Sequence, residues 1–506
     1  MIVLIFELLL LTALLVSSVY WAFLLPPQYP HNVPAVPFWV ALIPFFKDVD
    51  QSDIFRKYIE GPLHRHGAVK LFFGAQWNIL VHRPSYLLEI FKHEDVYQKS
   101  GNQKKIPHSV LADFLGDNII SSRGEAWKCY QSVIKPGLQR PFEVDTLANN
   151  ASLLCGLIET AQKRAGKGGI PVQVLLQRYS VANCAAVLLQ TELPTLQSDE
   201  VAINALQMAV KREIFKPIFM NFPILDRLPL PGRKRARNMV TAFKNQLKSA
   251  LVASHVEKPV AGLESDKLGA RLLAAMESSL WTEKQFLDNL TVTFVAGQEN
   301  PQLLMISMLY LLAKHPQVQD QLLDEIRDKA AAAADHDAPL PEAAALQDLP
   351  LMTAVIYESL RLYPPIGQLI NRRAAKDTML GGAIYVPRGT YVGYNCYSTN
   401  RDAAAWGPAA CEFRPERWGD SSESVQKHFR LRRARGEFIS FHGGKRACLG
   451  ERFAMFEMRV TLWVLVGRFR WSLDPGWEDR KTPVGRFCLS SGLFSSFSYP
   501  PSFRVI

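Results

Sequence analysis

Phe441-His442-Gly443-Gly444-Lys445-Arg446-Ala447-Cys448-Leu449-Gly450 sets one cysteine in a glycine-bent loop, with a phenyl ring seven residues before it and a guanidinium two before. The run that follows, Glu451 to Val464, reads as a helix. A thiolate at such a spot can be the proximal ligand of a haem iron, donating electron density that favours O–O cleavage. Gly444 permits a turn that residues with side chains resist, and Gly450 lets the backbone pass close to a flat macrocycle. Arg446 can pair bidentately with a haem propionate. Phe441 would pack beside the sulfur, keeping water away and tuning its potential.

The pattern F-x-x-G-x-R-x-C-x-G is matched at all five fixed positions, and by it the chain resembles the cytochrome P450 family. The resemblance implies a mainly α fold with a small β-sheet region, built around haem b with Cys448 as axial thiolate. It also implies a small-molecule substrate and electrons from NADPH-cytochrome P450 reductase. Glu358 and Arg361 stand three apart in a helical run, so they share one face. Leu362-Tyr363-Pro364-Pro365 and Phe413-Arg414-Pro415-Glu416-Arg417-Trp418 follow. In that order they are similar to the family's charged network, which Arg417 would complete. Trp127, in Gly124-Glu125-Ala126-Trp127-Lys128, matches the family's tryptophan whose indole N–H reaches a propionate. The family usually has an arginine four residues later; here Gln131 stands there. The missing charge is expected from Arg372 or Arg373 together with Arg446.

Thr293-Phe294-Val295-Ala296-Gly297-Gln298-Glu299-Asn300-Pro301 resembles the family's oxygen-side helix, with a departure. Ala296 and Gly297 are small, which lets a helix lie flat over the macrocycle. Asn300 occupies the place of the usual threonine, and Pro301 lacks the N–H that would bond the Gly297 carbonyl. Glu299 is then the candidate proton source, with Asn300 holding a water. Gln298, Ile366 and Gln368 are expected to line the substrate pocket, by their positions in the family. Ala296–Gln302 and the run Leu360–Arg372 carry a narrower likeness, to fungal members acting on aromatic amino-acid derivatives, the dityrosine-forming enzyme of spore walls among them. It implies oxidation of a tyrosine-derived metabolite by coupling or hydroxylation. A hydroxylase of another secondary metabolite and a reductase-independent haem-thiolate isomerase are the alternatives.

The rest of the chain bounds this reading. Ile2 to Leu25 is an apolar run of 24 residues, long enough for a transmembrane anchor that needs about 20. Residues 26–40 are dense in proline and read as a stiff hinge, and 41–506 as one catalytic domain. The resemblance then implies a single-pass protein of the endoplasmic reticulum membrane, its body in the cytosol and in contact with membrane lipid. Seven scattered cysteines form neither a disulfide framework nor a zinc site, which fits a reducing compartment. A net charge of +11 without aromatic–basic interleaving suggests an acidic redox partner or an anionic membrane surface, and no nucleic acid. Helical periodicity runs through Gln302–Lys329 and Leu351–Leu362, and β-rich runs fall near Val69–Phe73, Trp77–Val81, Ala383–Val386 and Phe469–Leu473. Ala330–Ala345 is expected to be a surface insertion. No chemistry is legible in the loops Gly101–Asn118 and Phe487–Phe494.

Overall fold

Thr282 starts the element that organises the body. Its hydroxyl accepts from the Gln285 N–H and the Gln285 side chain answers its own N–H, a capping box for the 32-residue helix Glu283–Lys314. A computed structural model describes this helix within residues 2–20, 24–46, 51–256, 263–331, 343–476 and 502–505. The helical pattern expected from Gln302 to Lys329 is two helices. The first ends at Lys314, and Pro316 opens the second, Pro316–Ala331, where its missing N–H is no loss. Pro301 sits inside the long helix without ending it. Most residues of this helix are buried on every side, as expected of a central element. Gln173–Asn183, Pro231–Val256, Pro350–Leu362 and Glu451–Arg468 pack around it.

A five-stranded sheet flanks the helices, in the order Ala68–Phe73, Gln76–Val81, Tyr391–Asn395, Gln368–Ala374, Tyr97–Lys99. The first two strands and Ile384–Val386 fall where the sequence suggests. Tyr391–Asn395 and Gln368–Ala374 carry no such signal, because they are buried on both faces and alternation is lost. Gly393 is needed there: a Cβ would lie 2.5 Å from Ile370 Cγ1, beside the register shift between Leu369 and Arg372. Trp471–Leu473 belongs to a small second sheet with Ile170–Pro171 and Ser502–Val505. The loop Gly101–Asn118 contains two short helices, Asn102–Lys105 and Val110–Leu115. Phe487–Phe494 and most of Ala330–Ala345 lie outside the described residues.

The N-terminal run forms a helix over Ile2–Val19, 18 residues long. Ile5, Phe6, Leu9, Leu10, Leu11 and Leu14 are exposed on it. Among the described residues, no helix is long and apolar enough to cross a membrane. The proline-dense segment is fastened to the body along much of its length. Lys70 Nζ donates to the carbonyls of Pro27 at 2.7 Å and Gln28 at 3.1 Å. Main-chain bonds join Val36 to Lys70 and Lys70 to Pro34. Asn32 Nδ2 reaches the Ala383 carbonyl at 2.9 Å. The reason is mutual need, since a buried ammonium requires acceptors and a proline-rich backbone keeps its carbonyls free.

Candidate active site

The cysteine loop is closed by the Cys448 N–H, which donates to the Phe441 carbonyl at 2.9 Å. Gly444 has φ +64°, and a Cβ there would meet the Phe91 carbonyl oxygen at 2.5 Å. Both conformation and space therefore demand glycine. Near Gly450 a Cβ would meet nothing closer than the Cys448 sulfur, at 4.0 Å. That sulfur opens onto an internal cavity, so it is accessible while still ringed by protein. Burial pushes the thiol up to about 11, against hydrogen bonds from the Gly450 and Glu451 main chain that pull it down. A metal cation at the sulfur reverses that balance.

The cavity above Cys448 measures about 220 Å³, counted as the space open to the centre of a water molecule. Phe441 and Phe453 lie on the cysteine side, Ala296, Gly297 and Asn300 on the long helix, and Ile366 and Leu369 on the sheet side. At the rim stand Trp127, Lys99, His442 and Arg446. Arg446 stacks over the Trp127 ring with its guanidinium carbon 4.5 Å from the centroid. It is fixed by Glu94 at 2.6 Å and by the carbonyls of Ile119, Ile120 and Ser122. The Asn289 side chain holds that loop in turn, accepting from the Ile119 N–H at 2.9 Å.

Lys99 is the rim residue that sequence reasoning missed. It is 4 % exposed, and among the described residues its ammonium donates to no protein group. Burial holds it well below the usual lysine range, with Arg372 and Arg446 adding to the effect. Arg372 itself does not reach the cavity. It is 1 % exposed, donates to the Tyr97 carbonyl at 3.2 Å and lies 3.7 Å from Glu94. Arg373 donates instead to the Gly389 carbonyl. Lys99 and Arg372 are register partners and so share one face of the sheet; of the two, Lys99 lines the cavity while Arg372 is held by the Tyr97 carbonyl and Glu94. Only the assembled sheet reveals this, since Tyr97–Lys99 is too short to read as a strand.

Lys99, Arg372 and Arg446 face a single carboxylate, Glu94, which leaves an excess of two positive charges at the edge of a largely apolar cavity whenever Lys99 is protonated. Two propionates on an apolar macrocycle would match that excess, with Cys448 beneath. The residues present thus fit haem.

On the oxygen-side helix, Asn300 lines the cavity and its Nδ2 reaches the Ala296 carbonyl at 3.5 Å. Among the described residues its Oδ1 is buried without a partner. Glu299 points away from the cavity, forming an ion pair with Lys211 and accepting from Gln207 Nε2 at 3.5 Å. Burial lowers Lys211 to about 7. Gly297 is small for a second reason: a Cβ would meet the Cys184 sulfur at 2.9 Å. Gln298 and Gln368 are fully buried and do not line the cavity, whereas Ile366 does. The Gln298 carbonyl accepts from Ser180 Oγ at 2.6 Å, which puts this residue on the side of Gln173–Asn183. Gln368 belongs to the sheet, where Asn395 Nδ2 lies 3.5 Å from its Oε1.

Glu358, Arg361 and Arg417 come together behind the cysteine loop. The Glu358 carboxylate accepts from Arg361 Nε and Nη2 at 2.8 Å, from Arg417 Nε at 2.9 Å, and from Trp418 Nε1 and the Arg414 N–H at 3.0 Å. Arg361 uses its remaining N–H groups on the carbonyls of Asn400, Ala410 and Glu412.

A family model described as Cytochrome P450 matches residues 34–492. Cytochrome P450-DIT2 of Saccharomyces cerevisiae is 40% identical over 481 residues, covering 94% of this chain and 95% of that one. Cytochrome P450 monooxygenase xanG of Aspergillus fumigatus is 37% identical, covering 93% and 88%. Among solved structures, the cytochrome P450DA haem domain superposes with a TM-score of 0.70 at 19% identity, covering 90% of this chain and 92% of that one, and so shows the shared fold.

Proposed function

Because the chain belongs to the cytochrome P450 family, and is by that membership a haem-thiolate monooxygenase, we propose that it oxidises an aromatic, tyrosine-derived metabolite by phenol coupling or hydroxylation. When bound, haem supplies the iron that activates dioxygen. The other tasks fall to the protein. Cys448 would supply the sulfur that binds the iron, Phe441 would shield it, and Trp127, Lys99 and Arg446 would hold the propionates. Asn300 would take up a water with its free Oδ1; Glu299, paired with Lys211 on another face of the helix, does not reach that water. The observation that carries the substrate reading is the stretch from Ala296 to Gln302, with asparagine and proline after the acid, which resembles fungal members acting on aromatic amino-acid derivatives. Relatives from two fungi, matched over nearly the whole chain, support it.

Mass spectrometry of products from tyrosine derivatives, with NADPH and the reductase supplied, tests the proposal. Coupling gives twice the substrate mass less two hydrogens, and hydroxylation adds one oxygen. Failure to oxidise or bind any aromatic amino-acid derivative refutes the substrate class. Lys135, Arg435, Lys445 and Arg452 are exposed on segments around the cysteine loop and suit an acidic reductase.

The same proposal places the chain on the endoplasmic reticulum membrane, with residues 2–25 as anchor and the body in the cytosol. Its support is the exposed apolar helix Ile2–Val19 and a second apolar patch on the body. Trp39, Phe46, Ile218, Ile224, Leu228 and Leu230 are exposed there. The two contributing segments meet where Asn221 Nδ2 donates to the Ala41 carbonyl at 3.2 Å and Phe45 stacks on Phe222. Flotation with phospholipid vesicles checks this; full-length protein left at the bottom of the gradient would exclude it.

A further inference from the structure

His442 stands in a conformation that asks for an explanation. Its φ is +60°, the left-handed region that glycine favours, and Gly443 and Gly444 follow. A side chain there is strained, and such strain persists where the surroundings impose it. Two contacts impose it. The His442 N–H donates to the Ile439 carbonyl at 2.8 Å. The ring meets Tyr394 edge-on, with Nδ1 3.1 Å from the tyrosine oxygen.

Tyr394 is completely buried, and among the described residues its hydroxyl has this one hydrogen-bond partner. Burial raises its pKa, so the phenol keeps its proton. That proton goes to Nδ1, which must therefore accept. Burial, reinforced by Lys99 and Arg372, lowers His442 to about 3 and keeps the ring neutral. A neutral imidazole accepting at Nδ1 carries its hydrogen on Nε2. Nε2 is not among the buried unpartnered atoms, and the residue lines the cavity together with Lys99, Trp127 and Arg446.

We propose that His442 donates a neutral hydrogen bond from Nε2 to a haem propionate, and that Tyr394 is the positioning residue that fixes this tautomer. The proposal rests on haem lying above Cys448. A neutral donor suits the rim, because the cationic excess there already balances two propionates and a further charge would be unmatched. It also accounts for histidine where glycine would be free of strain.

The test uses purified holoenzyme and needs no turnover. His442→Gly suits the backbone and removes only the ring; His442→Asn, which also tolerates left-handed φ, serves if the glycine variant fails to fold. Ferric haem transfer to excess apomyoglobin is expected to run roughly tenfold faster in the variant, about 1.4 kcal/mol of lost binding. The propionate bending band in the resonance Raman spectrum is expected to shift. Tyr394→Phe is expected to give a smaller acceleration that vanishes when added to His442→Gly. A parental Raman band with a parental transfer rate in the His442 variant would overturn the donor role. Additive effects of the two substitutions would overturn the coupling to Tyr394.

Discussion

Two buried charge clusters lie on either side of the cysteine loop, and they are opposites. Behind the loop, Glu358 receives five donors and Arg361 spends all five N–H groups on protein acceptors. At the cavity rim, Arg372 and Arg446 share Glu94, and among the described residues Lys99 has no protein acceptor and Arg372 Nε is buried without a partner. The first cluster is complete in the polypeptide alone. The second is complete only with an anion that the chain does not encode. Buried polar groups are normally satisfied, so a full network identifies architecture and a deficient one identifies a binding site.

Breaking the complete cluster should have the largest effect. Glu358→Ala strands two guanidiniums, and removal of one partner from a buried network costs about 3–5 kcal/mol. Loss of haem incorporation is expected, read from the spectrum of the reduced carbon monoxide complex; a variant with full haem content would show the network to be dispensable.

The incomplete cluster should respond with two signs. Lys99→Met removes an unmatched buried cation, so the haem-free protein is expected to gain about 1–2 kcal/mol in chemical denaturation. The same variant should lose haem several-fold faster. A change of the same sign in both states would show that Lys99 is not waiting for an anion.

Glu457 sharpens the contrast with Glu358. It is fully buried on Glu451–Arg468 with one donor, Asn183 Nδ2 at 2.8 Å, and one oxygen without a partner. Burial raises its carboxyl from 4.5 to about 8. The folded state then holds this proton more tightly than the unfolded state, so stability falls as pH rises from 4.5 towards 8. Glu457→Gln should flatten that decline in denaturation midpoints measured across the window. An unchanged slope would mean that burial does not hold the proton on Glu457.

The smallest effect is expected outside both clusters. Lys70→Met should release the segment around Pro27 and Gln28, seen as faster proteolysis there with haem content unchanged. Cleavage at the parental rate would show that the ammonium is not the fastener.

Legibility followed the range of the interactions. The cysteine loop and the Glu358–Arg361 pair depend on neighbours in sequence, and their residues could be read directly. The third partner, Arg417, came from the ordered motif around it. The rim depends on two strands far apart in the chain, Tyr97–Lys99 and Gln368–Ala374, whose pairing sets Lys99, which lines the cavity, beside Arg372, which does not. Gln298, Glu299 and Asn300 are consecutive, yet helical rotation of about 100° per residue sends only Asn300 to the cavity. Which of the three faces the macrocycle is set by the helix's neighbours, not by the motif.

The cysteine loop, the charged pair and the asparagine–proline departure follow from the residue order alone, because each rests on side-chain chemistry at fixed short spacing. Long-range packing settles which cations line the cavity, which polar residue faces it and which contacts hold His442 in its left-handed conformation. Those choices depend on strand register and on which groups burial leaves without a partner.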